Sequence, residues 1–135
     1  MLLFVGAARA DFSEEFLKIR KAAETGNAVA QNNRGGIYLK GVGVEQDYSE
    51  AEKWFRLAAR QGNADAQNNL GGLYENGLGV RQDYLEAFKW YRLAASAGDA
   101  AAQCNLGWMY EHGKGVNQDF VESRKWLWRL GDILY

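Results

Sequence analysis

Apolar residues in the middle of the chain fall on two helical stripes separated by a glycine turn. Ala66, Leu70 and Tyr74 stand at i, i+4 and i+8, with Leu73 beside them. This spacing marks one face of an α-helix and predicts a helix over residues 64–75. Tyr84, Ala87, Trp90, Tyr91 and Ala94 recur every three or four positions and predict a second helix that ends at Gly98. The turn between them reads Gly77-Leu78-Gly79-Val80. Its first glycine suits the left-handed position after a helix end, and its valine is placed to dock back on the helix pair. Asp83 followed by Glu86 opens the second helix as a capping box. The aspartate is expected to accept from first-turn amides and the glutamate to reach back to the cap amide.

The whole unit recurs. Asn63–Gly98 aligns without gaps on Asn27–Gly62 and again on the chain from Asp99 onward, a shift of 36 positions each way. A fixed period of this size is the mark of a solenoid. One helix pair this short cannot cover its own apolar face, so neighbours must supply the partner surface. The expected organisation is a half-repeat over 11–26, opened by Asp11 and Glu14, then repeats over 27–62, 63–98 and 99–135, the last with a C-terminal tail. Asn27, Asn63 and Asp99 are the cap residues of the first helices. Gly35, Gly71 and Gly107 occupy the same slot inside the first helix. A glycine there costs about 1 kcal/mol against alanine, so a second helix is expected to approach too closely for a side chain.

The string A-x-A-Q-x-N-L-G-x-x-Y, then G-x-G-V, then D-Y, then A-x-x-W-Y-x-x-A-A resembles the Sel-1-like repeat, a relative of the tetratricopeptide repeat with a longer inter-helix loop. The likeness covers residues 27–130 and the half-repeat before them. It implies an all-α fold, a right-handed α/α solenoid used as a protein-interaction scaffold. Arg34 departs from the pattern, standing where the other copies have Leu70 and Leu106. Ser123, Leu130 and Gly131 depart from it in the last helix. A cysteine-rich branch of the family staples each repeat with a disulfide and carries penicillin-binding or weak β-lactamase activity. That branch implies an alternative role as a binder of cell-wall fragments or β-lactams. Cys104 is the sole cysteine here, so the staples are absent and the transfer of that activity is weakened.

Composition narrows the classes further. A hydrophobic share of 47% is ample for a packed core, and the absence of proline suits a nearly all-helical chain. A net charge of −1 leaves no electrostatic footprint for nucleic acid. No apolar run reaches the roughly 18 residues of a membrane span. The N-terminal residues 1–10 carry an apolar stretch, Leu2 to Ala7, followed by Ala8-Arg9-Ala10, an A-x-A cleavage signature. They read as the remnant of a signal peptide, which would place the protein in the periplasm or outside a bacterial cell. They also read as an apolar arm over the exposed end of the stack, which leaves a cytoplasmic location open.

The chemistry-bearing residues do not assemble into a catalytic or metal site, so no enzyme, cofactor or metal is expected. Cys104, Trp108 and His112 share a helix face, but eight residues separate the thiol and imidazole α-carbons by about 12 Å. A nucleophile and its base need hydrogen-bond reach. Glu52 and Arg56 read as an i, i+4 surface pair. The tryptophans at 54, 90 and 126 read as inter-helix packing.

A binding role remains. In related helix-pair solenoids the first helices line the inner, concave wall. On those helices the positions turned away from the core form three rows: Val29, Asn32, Gly36, Lys40; Asp65, Asn68, Gly72, Asn76; and Ala101, Cys104, Trp108, His112. Their side chains differ between copies while the core stripe stays nearly constant. Asn33, Asn69 and Asn105 flank them as an amide ladder, with a bond to neighbouring backbone as their other use. The candidate partner-binding residues are therefore Asn32, Asn33, Lys40, Asn68, Asn69, Asn76, Asn105, Trp108 and His112, with Trp108 as anchor. The expected partner is a peptide or protein. Trp128 and the apolar end Ile133-Leu134-Tyr135 add a surface for fold-back or self-association.

Overall fold

The computed structural model describes residues 14–134, with side chains for 14–129. The candidate signal segment, the Asp11 cap and the final tail lie outside the described residues. Among the described residues seven helices follow one another: α1 over residues 14–24, α2 Ala28–Lys40, α3 Tyr48–Arg60, α4 Ala64–Asn76, α5 Tyr84–Ser96, α6 Ala100–His112 and α7 Phe120–Leu134. No strand occurs among the described residues. The helices pack in chain order, α2 on α3, α3 on α4, and so on to α7, which gives the solenoid the repeat predicts.

Local signals set the boundaries. Asn27 and Asn63 accept at Oδ1 from the amides of Ala30 and Ala66. Asp99 holds the same extended backbone but makes no side-chain cap bond. Gly41, Gly77 and Gly113 end α2, α4 and α6 at positive φ, returning their amides to Ile37, Leu73 and Met109. Asp47, Asp83 and Asp119 cap the second helices through the amides of Glu50, Glu86 and Glu122.

The reciprocal half of the expected capping box does not form. The amides of Asp47, Asp83 and Asp119 donate instead to the carbonyls of Tyr38, Tyr74 and Tyr110 in the preceding helix. Glu50, Glu86 and Glu122 are thereby released and accept from Lys53, Lys89 and Lys125 at i+3. The adjoining Gln46, Gln82 and Gln118 donate to the carbonyls of Leu39, Glu75 and Glu111. Each turn is thus stitched to the end of the first helix by backbone bonds and one glutamine side-chain bond.

The core lies at the seams between repeats. Ala51, Phe55, Ala58 and Ala59 of α3 pack with Ala66, Leu70 and Leu73 of α4. Ala87, Phe88, Tyr91, Ala94 and Ala95 of α5 pack with Ala102, Leu106 and Met109 of α6. This is the physical reason the pair needs a neighbour. Val80 and Val116 pack against these clusters, as the turn pattern predicts. A buried glutamine closes each seam: Gln31, Gln67 and Gln103 donate to the carbonyls of Ala23, Ala59 and Ala95. Gly79 and Gly115 lie against the backbone carbonyls of Tyr48 and Tyr84, one repeat earlier, where a β-carbon has no room.

Close helix approach inside each repeat is real. A β-carbon on Gly71 would sit 2.7 Å from the Tyr91 ring, and one on Gly35 2.5 Å from the Phe55 ring. At Gly107 the neighbour is Leu127 Cγ at 3.0 Å. Glu52 and Arg56 prove to be more than a surface pair. Both are partly buried, and Arg56 also donates to Tyr74 Oη of the next repeat at 2.7 Å.

Candidate binding face on the first helices

Helical phase puts the three predicted rows on one outward face of α2, α4 and α6. Val29, Lys40, Asp65, Asn76, Ala101, Cys104, Trp108 and His112 are exposed, and Asn32 and Asn68 are half-buried. Gly36 is open, with nothing within 4 Å of an added β-carbon; beneath Gly72 the closest atom is Tyr91 Oη at 3.7 Å. The face therefore has a low floor over α2 and α4.

At the α6 end the floor rises. Trp108 is 38% exposed. Its indole stacks on the His112 imidazole, centroids 4.6 Å apart and planes inclined by 26°. His112 Nδ1 lies 2.9 Å from the Trp108 carbonyl. The imidazole is thereby committed to Trp108, and nothing joins it to the exposed Cys104 thiol. Among the described residues no group of His, Cys, Asp and Glu is placed to hold a metal.

The asparagine ladder is not bonded to neighbouring backbone. Asn69 Nδ2 donates to Asn32 Oδ1 at 3.0 Å, and Asn105 Nδ2 donates to Asn68 Oδ1 at 2.9 Å. Row and ladder are one network that ties each first helix to the next. Asn33, at the start of the ladder, is exposed, and Asn76 donates to the carbonyl of Gly72.

Over α2 the face deepens into a groove of about 410 Å³ that reaches from Ile19 on α1 to Asn69 on α4. It brings together four predicted residues, Asn32, Asn33, Lys40 and Asn69. Trp108 and His112 stand apart from it on α6. Sequence reasoning missed the apolar part of the lining, Ile19, Ile37, Leu39, Val42 and Phe55. Only the spatial approach of α1 to α2 unites those residues, although helical phase alone marks Ile37 as one step from the row.

Two electrostatic features flank the face. Burial, reinforced by a 2.5 Å bond donated to Glu75 Oε2, pushes the Tyr91 phenol well above its usual range. At the opposite edge, partial burial and then the charge of Asp65 raise the Asp99 carboxyl. Behind α2, the Arg34 guanidinium is buried over Trp54, 4.0 Å from the ring centroid. Its Nη1 lies 3.6 Å from Glu24 Oε1.

Residues 28–63, 64–99 and 100–127 each match the model of the Sel1 repeat. Among solved structures, the chain is similar to a protective antigen of uropathogenic Escherichia coli strains displaying an SLR fold. Identity there is 41% and the TM-score 0.84, over 85% of this chain and 25% of that one. A Sel1 repeat protein from Oxalobacter formigenes is 34% identical with a TM-score of 0.86, over 96% of this chain and 53% of that one. Cysteine rich protein B of Helicobacter pylori, at 21% identity and a TM-score of 0.70 over 93% of this chain and 90% of that one, shares the fold. The chain thus spans a quarter of the first relative and about half of the second. No curated protein matches it.

Proposed function

Because the chain belongs to the Sel1 repeat family, we propose that it is a non-catalytic scaffold that binds an extended segment of a protein partner across the outward face of α2, α4 and α6. The observation that carries this reading is Trp108, a large aromatic held by its stack on His112 at the end of a glycine-floored face. Exposed aromatics of this kind are the residues that dominate binding energy when covered. The half-buried asparagine bridges would fix the spacing of the face, and Lys40, Asn76 and His112 would vary its chemistry from repeat to repeat. The A-x-A signature at Ala8-Arg9-Ala10 supports a periplasmic or secreted setting; a mature N-terminus at Met1, read by mass spectrometry of the native protein, would count against it.

The test uses immobilised wild-type protein and Trp108→Ala in parallel against extract of the native host. The variant should lose the captured partner while its melting curve stays nearly unchanged. Capture that survives the substitution, or a variant that no longer folds, removes Trp108 as the exposed anchor.

A further inference from the structure

The groove over α2 is lined in part by asparagine amides and, among the described residues, carries a single charge. Lys40 is the only ionisable side chain in its lining, and among the described residues no carboxylate lies within ion-pair distance of it. Asn32 accepts from Asn69 at Oδ1, and its amide N–H pair stays free to donate. Asn33 lies exposed beside it. Around these amides stand the apolar side chains of Ile19, Ile37, Leu39, Val42 and Phe55, all but the last aliphatic. The other two copies of the Lys40 position hold Asn76 and His112, so the charge is confined to this end of the face.

We infer that this groove recognises an acidic side chain, aspartate or glutamate, flanked by an aliphatic residue within an extended partner segment. The inference rests on the peptide-binding reading above. Charge complementarity chooses the anion: a carboxylate accepts from several donors at once and makes charge-assisted bonds stronger than neutral ones. The lining chooses the flanking residue, because the aliphatic walls are covered only by an apolar group. The groove's course favours a side chain over a chain end. Its lining spans α1, α2 and α4, from Ile19 to Asn69, so a segment lying across it touches all three helices.

The experiment is selection from a phage-displayed library of random internal segments, repeated with wild type, Lys40→Met, Lys40→Glu and Trp108→Ala. Wild type should enrich segments with an acidic residue beside Leu, Ile or Val. Synthetic capped peptides from that pool should bind Lys40→Met roughly tenfold more weakly, the loss expected for one charge-assisted bond. The glutamine version of each peptide should lose a similar factor on wild type and nothing further on Lys40→Met. Lys40→Glu should select basic segments instead. Binding should weaken as salt rises, because the ammonium is exposed. An acidic preference that persists unchanged in Lys40→Met and Lys40→Glu overturns the inference. So does a preference for uncapped peptides ending in a free carboxylate, which would assign the groove to chain ends. If Trp108→Ala abolishes selection while the Lys40 variants behave as wild type, the peptide-binding reading stands and the carboxylate assignment falls. If nothing is enriched on wild type, both fall.

Discussion

The first and second repeats share a scaffold and differ in what they place inside it. Asn27 and Asn63 cap α2 and α4 through the same bond, and Gln46 and Gln82 stitch the same turns. Gly35 and Gly71 each lie under an aromatic ring. Among the interior slots that diverge are position 34 and the pair 39 and 55. Position 34 is a buried arginine over Trp54, whereas its counterpart Leu70 is fully buried in the apolar cluster between α3 and α4. Positions 39 and 55 are Leu and Phe, whereas 75 and 91 are Glu and Tyr joined by a hydrogen bond. The changes come with their compensation: the arginine has Glu24 and an indole face, and the phenol has a carboxylate. What the repeat demands is therefore backbone stitching and close approach. The chemistry of an interior slot is free to change when its partner changes with it.

The shared feature gives the largest predicted effect. Gly71→Leu forces a side chain into the Tyr91 ring, which already stands 2.7 Å from a notional β-carbon. Overpacking a tight core costs about 1–3 kcal/mol, and here it also pushes α4 from α5 where the seam cluster is anchored. Gly36→Ala, one residue from Gly35 in the same helix, should do the opposite. Nothing lies within 4 Å of its β-carbon, so it gains the alanine propensity, about 1 kcal/mol. Thermal melts of the two variants should move in opposite directions. A Gly71→Leu protein that melts at or above wild type would refute the close-contact account.

This contrast also shows where the sequence was legible. Helix boundaries, turns and the glycine slot are each dictated by residues within four positions, so period and phase reveal them. The exposed row is legible for the same reason: phase alone turns Trp108 and Lys40 away from Leu70-type positions. Contacts that cross a seam are not legible. Asn69 reaching Asn32, Gln67 reaching the Ala59 carbonyl and Arg56 reaching Tyr74 join residues 37, 8 and 18 apart. No periodicity within one helix encodes those distances. The capping-box glutamates failed for a related reason. A tyrosine carbonyl of the preceding helix reached the cap amide first, and that competition depends on the loop's path.

Making the first repeat resemble the second at position 34 should have a smaller effect, and in the stabilising direction. The Arg34 side chain is 8% exposed, and its one ionic partner among the described residues, Glu24, is 51% exposed and therefore strongly screened. Nε and Nη1 are buried without a hydrogen-bond partner among the described residues. Replacing a buried charge of this kind by a hydrophobic side chain is commonly neutral or stabilising. Arg34→Leu is expected to raise unfolding stability by about 1 kcal/mol. Arg34→Ala, which leaves a gap beneath Trp54, should lower it by about 2 kcal/mol. Urea titration of both separates the charge from the packing. A less stable Arg34→Leu would mean that the indole face and Glu24 together outweigh the desolvation of the guanidinium.

An effect no larger than that of Arg34→Leu, but with the most specific signature, is expected from making the second repeat resemble the first at position 91. Tyr91→Phe removes the bond to Glu75 but leaves a carboxylate that is only half-buried and can turn to water. Near neutral pH the cost should be about 1 kcal/mol, the net worth of one such bond. The signature lies at high pH. Burial and Glu75 hold the native phenol above its ordinary range, while in the unfolded chain it titrates near 10, as a free tyrosine does. Above that pH the unfolded state has released a proton that the native state retains. The unfolded state is then favoured by about 1.4 kcal/mol per pH unit for this group. The stability contributed by the neutral phenol is therefore fully present below about pH 10 and drains away as pH rises toward the native value. Tyr91→Phe should flatten that decline relative to wild type between roughly pH 10 and 11, because phenylalanine has no proton to lose. Tyr110, whose phenol is also raised by partial burial and then by Glu122, is present in both proteins and cancels in the difference. Equal slopes for the two proteins across that window would mean that Tyr91 ionises in the folded state as freely as in the unfolded one, and that the Tyr91–Glu75 pair contributes nothing the Phe55–Leu39 pair does not.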